Sequence, residues 1–189
     1  MSAPAVITHA TTDEHLRQIL ALQARYHLNA TSAEVQAAEG FVYAEHTVPL
    51  LQKMAAASPQ AIALADGQVV GYCLSLLPEL RAEVPALVSM FAEFDRCRYR
   101  GQPLAAHRFF AGGQVCVDRA FRGQGLLRGL YEHLGELLAP THGLCVTEIS
   151  SRNVVSLRAH EKMGFERLAA WSDGHEDWII VGWDLVPRR

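Results

Sequence analysis

Val115-Cys116-Val117-Asp118-Arg119-Ala120-Phe121-Arg122-Gly123-Gln124-Gly125-Leu126-Leu127 runs from an apolar strand, through an Arg-Gly-x-Gly turn, into an amphipathic helix. Leu126, Leu127, Leu130, Leu134, Leu137 and Leu138 recur at helical spacing, which predicts a helix over Leu126 to Leu138 with one apolar stripe. The first turn of a helix has N–H groups without partners and carries partial positive charge. Glycines let a ligand approach that backbone closely. Arg122 adds a guanidinium beside it, so Arg122, Gly123, Gln124, Gly125, Leu126 and Leu127 read as a cradle for phosphate or pyrophosphate. The same glycines also suit a tight strand-to-helix turn with no ligand. A Walker A loop is excluded, because no Gly-Lys-Ser/Thr ending follows. Gly123, Gly125 and Gly129 miss the dinucleotide-binding spacing.

Outward from this stretch, the pattern alternates strands and helices. Ala5–His9 reads as a strand, and Thr11-Thr12-Asp13-Glu14 as a helix start with Thr11 as cap. Thr31-Ser32-Ala33-Glu34 opens a short helix, and Val48 to Ala57 another. Ala61–Ala65, Asp66-Gly67 and Gln68–Leu77 form a hairpin signal. Glu83 to Arg98 reads as a helix with Leu87, Met90, Phe91 and Phe94 on one face. A strand within His107 to Asp118 is followed by the Leu-rich helix, a strand at Leu144–Ile149, and a helix from Asn153 to Met163 closed by Gly164. Phe165–Trp171, Asp173-Gly174 and His175–Leu185 make a second hairpin. Two hairpins and two strand–helix–strand crossovers predict a mixed sheet covered by helices.

Composition narrows the function. The 189 residues suit a single domain, 50% hydrophobic, with net charge −3 and 8% aromatics. Neither a basic field nor a stacking platform invites nucleic acid. No apolar run is long enough for a bilayer, and Met1-Ser2-Ala3-Pro4 lacks signal-peptide features, so a cytoplasmic protein is expected. Cys73, Cys97, Cys116 and Cys145 form no C-x-x-C pair, and the nine histidines show no i, i+4 pair, so no metal is expected. Fifteen of the 17 basic residues are arginine.

A second segment follows one crossover after the glycine turn: Asn153-Val154-Val155-Ser156-Leu157-Arg158-Ala159-His160-Glu161-Lys162-Met163-Gly164-Phe165. The two segments, in this order and at this separation, resemble motifs A and B of the GNAT superfamily of N-acetyltransferases, and the element order from Ala5 to Leu185 resembles it too. The resemblance implies an α/β (mixed α+β) fold with a mostly antiparallel sheet of about seven strands, splayed between two parallel central strands, Gly113–Asp118 and Leu144–Ile149. It implies one acyltransferase domain over residues 1–189 with a helical insert at about 78–108. It further implies acetyl-CoA as cosubstrate: backbone amides of the cradle on the pyrophosphate, Val115, Cys116 and Val117 pairing with the pantetheine arm like an added strand, and Asn153 with Ser156 on its amides. A homodimer is common in the family.

Two positions depart from the family pattern. Leu127 stands where Gly or Ala is usual. His160 stands where many members carry the tyrosine that protonates the departing thiolate; it is either that acid or a packing substitute. For the base that deprotonates an amine, Glu148 is the first candidate, because it interrupts the apolar run Leu144-Cys145-Val146-Thr147-Glu148-Ile149. Its alternative is a pair with Arg152 or Arg158. Glu79, just after Pro78, is the second candidate. Cys116 reads as a strand filler rather than a nucleophile.

The acceptor is expected between residues 29–46 and 78–108, with Tyr26, Phe41, Tyr43, Tyr72 and Phe91 as lining and the cluster Arg96, Arg98, Tyr99, Arg100 beside it. The activity this implies is acetyl transfer from acetyl-CoA to a primary amine, of a small molecule. The alternative is a non-catalytic acyl-CoA-binding or regulatory domain.

Overall fold

In the computed structural model we describe residues 4–84 and 87–185. The chain runs β1 (Val6–His9), α1 (Asp13–Tyr26), α2 (Ala33–Glu39), α3 (Val48–Ala57), β2 (Ala61–Ala65), β3 (Gln68–Leu76) and α4 (Val88–Arg96). A two-residue ribbon, β4 (Arg98–Tyr99) and β5 (Gln102–Pro103), follows. Then come β6 (Phe109–Val117), α5 (Leu126–Leu138), β7 (Leu144–Ser150), α6 (Val154–Met163), β8 (Glu166–Ser172) and β9 (Asp177–Asp184). Seven strands form one sheet in the order β1-β2-β3-β6-β7-β9-β8. Among the described residues its only parallel pair is β6 with β7; the others are antiparallel.

Two apolar clusters sandwich the sheet. On one face Leu16, Ile19 and Leu22 of α1, Leu51 and Met54 of α3, and Met90, Phe91 and Phe94 of α4 pack against Tyr72, Leu74 and Leu76 of β3. On the other, Leu126, Leu130, Tyr131 and Leu134 of α5 and Leu157 of α6 pack against Cys73, Phe110, Cys145 and Val181. The leucine stripe therefore faces the sheet as its spacing predicts. Leu130 is fully buried, and its truncation to Ala costs about 2–5 kcal/mol as a transfer and cavity loss.

One irregularity positions the site. β6 pairs with β3 through Leu74↔Gln114 and then Ser75↔Gly112, so Gly113 is an extra residue in β6. A bulge inverts the alternation beyond it. Before it Phe109 and Ala111 face the α1 side; after it Cys116 does, while Val115 and Val117 join the α5 side. At the same place β6 leaves β7: the parallel register covers Phe109↔Leu144, Phe110↔Cys145 and Ala111↔Val146 only. The strands splay from Gly112 onward, and the Thr147 hydroxyl bonds the Gly112 carbonyl at 2.7 Å where the pairing ends.

Several sequence expectations are corrected in detail. Thr12, not Thr11, caps α1, accepting the His15 N–H. The expected helix over Glu83 to Arg98 starts only at Val88, because Pro78–Glu83 forms a 3₁₀ turn that Pro78 initiates; residues 85 and 86 lie outside the described residues, as do 1–3. The Asp66-Gly67 turn has two positive φ angles, 49° and 75°, as a tight primed turn requires. The second hairpin has four loop residues rather than two, since Ser172 pairs with Asp177. There Asp173 Oδ1 accepts the N–H groups of His175 and Glu176 and closes a side-chain-stabilised turn instead.

Candidate active site

The splay divides into two connected spaces. A groove of about 580 Å³ is lined by Tyr26, Glu39, Arg122, Gly123, Gly125, Leu126, Leu127, Arg128 and Lys162, among others. A cavity of about 240 Å³ is lined by Tyr43, Glu45, Gly112, Gln114, Thr147, Glu148, Trp171, Asp173 and Trp178, among others. Six residues line both: Phe41, Val42, Val115, Asn153, Ser156 and His160. They mark the junction where a group held in the groove meets one held in the cavity.

The groove ends on the N-terminus of α5. Its N-cap is Gly125, left-handed at φ 80°, with no side-chain cap. The first backbone bond of the turn is Gly129 N–H to Gly125 O, which leaves the N–H groups of Leu126, Leu127 and Arg128 without helical acceptors. Gly123 is also left-handed, at φ 74°, and a Cβ on either glycine would meet nothing within 4 Å. The cradle is thus open, and its glycines are required by conformation rather than by space. Leu127 lines the same groove without closing the helix N-terminus.

Arg122 is engaged differently from its expected role. Its Nε donates to Val117 O at 3.0 Å and its Nη1 to Glu39 O at 3.0 Å, and the guanidinium lies 5.1 Å from the Tyr26 ring centre. The Glu39 carboxylate faces both Arg119, at 3.1 Å, and Arg122, at 3.4 Å. Arg122 therefore ties the end of α2 to the glycine turn.

Asn153 likewise holds the protein's own chain. Its Oδ1 accepts the Ser156 N–H as the α6 cap, and its Nδ2 donates to Phe41 O at 2.9 Å. Gln114 does the same from β6, donating to Ala44 O at 2.8 Å while accepting the Tyr72 hydroxyl. Residues 39–46 are thereby strapped across the splayed strands. Gly40 sits there at φ 76°, and a Cβ on it would come 2.8 Å from Asn153 Oδ1. Val115, Val117 and Cys116 lie along the groove on β6. Cys116 is buried, and burial pushes its thiol up to about 12, as befits a filler.

His160 is 2% exposed and fixed by both ring nitrogens. Nδ1 lies 2.8 Å from the Ser156 carbonyl and so carries the proton; Nε2 then accepts the Tyr131 hydroxyl at 2.9 Å. Burial holds its pKa below the ordinary value, opposed by the bond to Ser156 O. A neutral imidazole with both nitrogens bonded is a positioning group in this arrangement. Tyr131, equally buried, lines the cavity beside it.

Glu148 is half-buried on β7 and lines the cavity. Oε2 accepts the Trp171 indole N–H at 3.0 Å, and Oε1 has no partner among the described residues. Burial pushes its carboxyl up to about 7; the Trp171 bond opposes this, while the charges of Asp173 and Glu93 add to it. Neither Arg152 nor Arg158 is its partner: Arg152 forks onto Glu176. Glu79 lies elsewhere, in the turn after β3. It acts electrostatically on His142, at the end where the parallel strands begin.

Of the expected acceptor lining, Phe41 and Tyr43 face the cavity, and Tyr26 the groove. Tyr72 and Phe91 are core, at 0% and 1% exposure. The arginine cluster is matched locally: Arg96 with Glu93, Arg98 with Gly101 O, and Arg100 with Asp184, and Tyr99 is buried. The sequence reading missed Tyr131, Thr147, Gln114, Trp171, Asp173 and Trp178. Trp171 and Trp178 are register partners across the β8–β9 hairpin, a pairing that the hairpin signal contains once its loop length is known.

Residues 23–165 match the Acetyltransferase (GNAT) family. The chain belongs to that family. Acetyl-CoA-dependent acetyl transfer is thus the activity that family and fold support. No curated protein matches the sequence. Among solved structures, an N-acetyltransferase from Staphylococcus aureus Mu50 superposes with TM-score 0.63 at 20% identity, covering 97% of this chain and 100% of that one. The ribosomal-protein-S18-alanine N-acetyltransferase from Escherichia coli gives 0.60 at 16%, over 98% and 97%. A GNAT-family acetyltransferase from Streptococcus pneumoniae gives 0.62 at 14%, over 96% and 99%. At these identities the likeness concerns the fold.

Proposed function

We propose that the protein is an acetyl-CoA-dependent N-acetyltransferase acting on a primary amine of a small molecule, with Glu148 as general base. The observation that carries this reading is Glu148 Oε1. It is an unpartnered carboxylate oxygen in a cavity that joins an open anion cradle at a shared wall.

Acetyl-CoA, when bound, supplies an activated acyl thioester. The N–H groups of Leu126, Leu127 and Arg128 suit its pyrophosphate. Beyond Gly113, the β7-facing edge of β6 has no strand partner and can accept an extended arm through Val115, Cys116 and Val117. An N–H on that edge is suited to hold negative charge on the thioester oxygen. An alkylammonium with a pKa of about 10 must lose a proton before it attacks. With its pKa near 7, Glu148 is about half ionised at neutral pH and basic enough to take that proton. The departing thiolate meets the Ser156–His160–Tyr131 corner, where Ser156 lines both spaces.

Four free, buried cysteines fit a reducing compartment. The expectation of a homodimer rests on the family resemblance and is read by sedimentation mass. The deciding experiment is thiol release from acetyl-CoA against a panel of amines. Turnover with kcat/KM rising through an apparent pKa near 7 supports the reading. Tight acetyl-CoA binding without turnover on any amine replaces it with a non-catalytic acyl-CoA-binding domain.

A further inference from the structure

The acceptor cavity has a charge pattern of its own. Among the described residues, its lining holds three carboxylates, Glu45, Glu148 and Asp173, and neither lysine nor arginine. Arg152, whose guanidinium lies over the Phe41 ring, is matched by the buried carboxylate of Glu176. Two of the cavity carboxylates are locked in place by indoles: Trp171 donates to Glu148, and Trp178 donates to Asp173 at 3.1 Å. Trp171 and Trp178 stand directly across the β8–β9 ladder, where partner Cβ atoms are about 5 Å apart. Asp173 also accepts two backbone N–H groups, which hold it ionised at the exposed rim of the cavity. Tyr43 packs edge-on against Trp178, with centroids 4.8 Å apart, so the carboxylates sit in an aromatic frame. Aromatic faces favour cations as well.

Resting on the acetyl-transfer reading above, we propose that the acceptor is a dication. It is a primary alkylamine with a second positive charge and no carboxylate: its reacting nitrogen is at Glu148, and its second charge faces Asp173 and Glu45. A monocation neutralises Glu148 and leaves Asp173 and Glu45 uncompensated. A zwitterionic amino acid brings a fourth negative charge into the same space.

The test is thiol release by the full-length protein with acetyl-CoA and three probes: 1,4-diaminobutane, n-butylamine and lysine. The expected kcat/KM for the diamine exceeds that for butylamine by about tenfold or more, with lysine well below the diamine. Asp173→Asn and Glu45→Gln each move the diamine/butylamine ratio toward one, through the diamine KM, and Asp173→Glu restores it. Glu45 is largely exposed at the mouth, so its variant tests the charge even where a change in the Asp173 turn costs stability. Equal use of butylamine or lysine overturns the inference, as does a ratio that survives in both variants, and acetyl transfer itself then stands. If acetyl-CoA binds and none of the three is acetylated, the transfer reading and this inference fall together.

Discussion

The groove and the cavity share a wall but are opposite in chemistry. The groove offers backbone N–H groups with Arg128 and Lys162 beside them, and its glycines keep the surface bare. The cavity offers carboxylates held by tryptophans. One is built mainly from backbone and is legible as a short motif. The other is built from side chains that segments far apart in the chain bring together. The two surfaces are complementary to the polyanion and the cationic amine of the proposed reaction, and they adjoin at Asn153, Ser156 and His160.

The sharpest way to test this division is Glu148→Gln. The amide keeps an oxygen for the Trp171 indole but cannot take a proton, so kcat should fall about 10²–10⁴-fold with unchanged acetyl-CoA affinity by calorimetry. A variant that loses acetyl-CoA binding as well would break the division. Gly125→Val attacks the other side. A β-branched residue at φ 80° costs roughly 1–2 kcal/mol and crowds the open cradle, so acetyl-CoA KM should rise about tenfold while the amine KM holds. Tyr131→Phe probes the shared wall. It leaves His160 Nε2 buried without a donor, and urea unfolding should show a loss of about 1–3 kcal/mol.

The smallest effect is on stability and has the opposite sign. The Glu148 carboxyl titrates near 7 in the fold against about 4.5 unfolded, so between those values the folded state holds more protons. Stability therefore falls as pH rises through that window and levels off above it. Glu148→Gln removes this penalty. Its Tm should exceed the parent's by a few degrees at pH 8, and the gap should close near pH 4.5. An equal Tm at pH 8 would mean that Glu148 is not held in a strained, ionised state.

How much was legible follows from the same contrast. The α5 stripe, both hairpins, α3 and the Asn153 and Gly164 ends of α6 follow local rules, and the sequence carries those rules openly. Glu148 was visible because a carboxylate interrupts an apolar strand. Asn153 and Arg122 were also visible, but their partners, Phe41 O and Glu39, lie more than 80 residues away and depend on how residues 39–46 cross the sheet. The Trp171–Trp178 pairing required the loop length of the second hairpin, which Asp173 sets through its side chain. Tyr131 belongs to no motif, and only the tertiary fold puts its hydroxyl on His160.

Gly113 ties the two regions to one count of residues. Were Gly113 paired in regular alternation instead of bulged, Gln114 and Cys116 would swing toward α5 and Val115 and Val117 toward α1. The Gln114 tether to Ala44, the bare edge for an extended arm and the Cys116 plug would be lost in one step. Substitutions can tune the groove and the cavity separately, but the bulge at this one residue sets the facing of both.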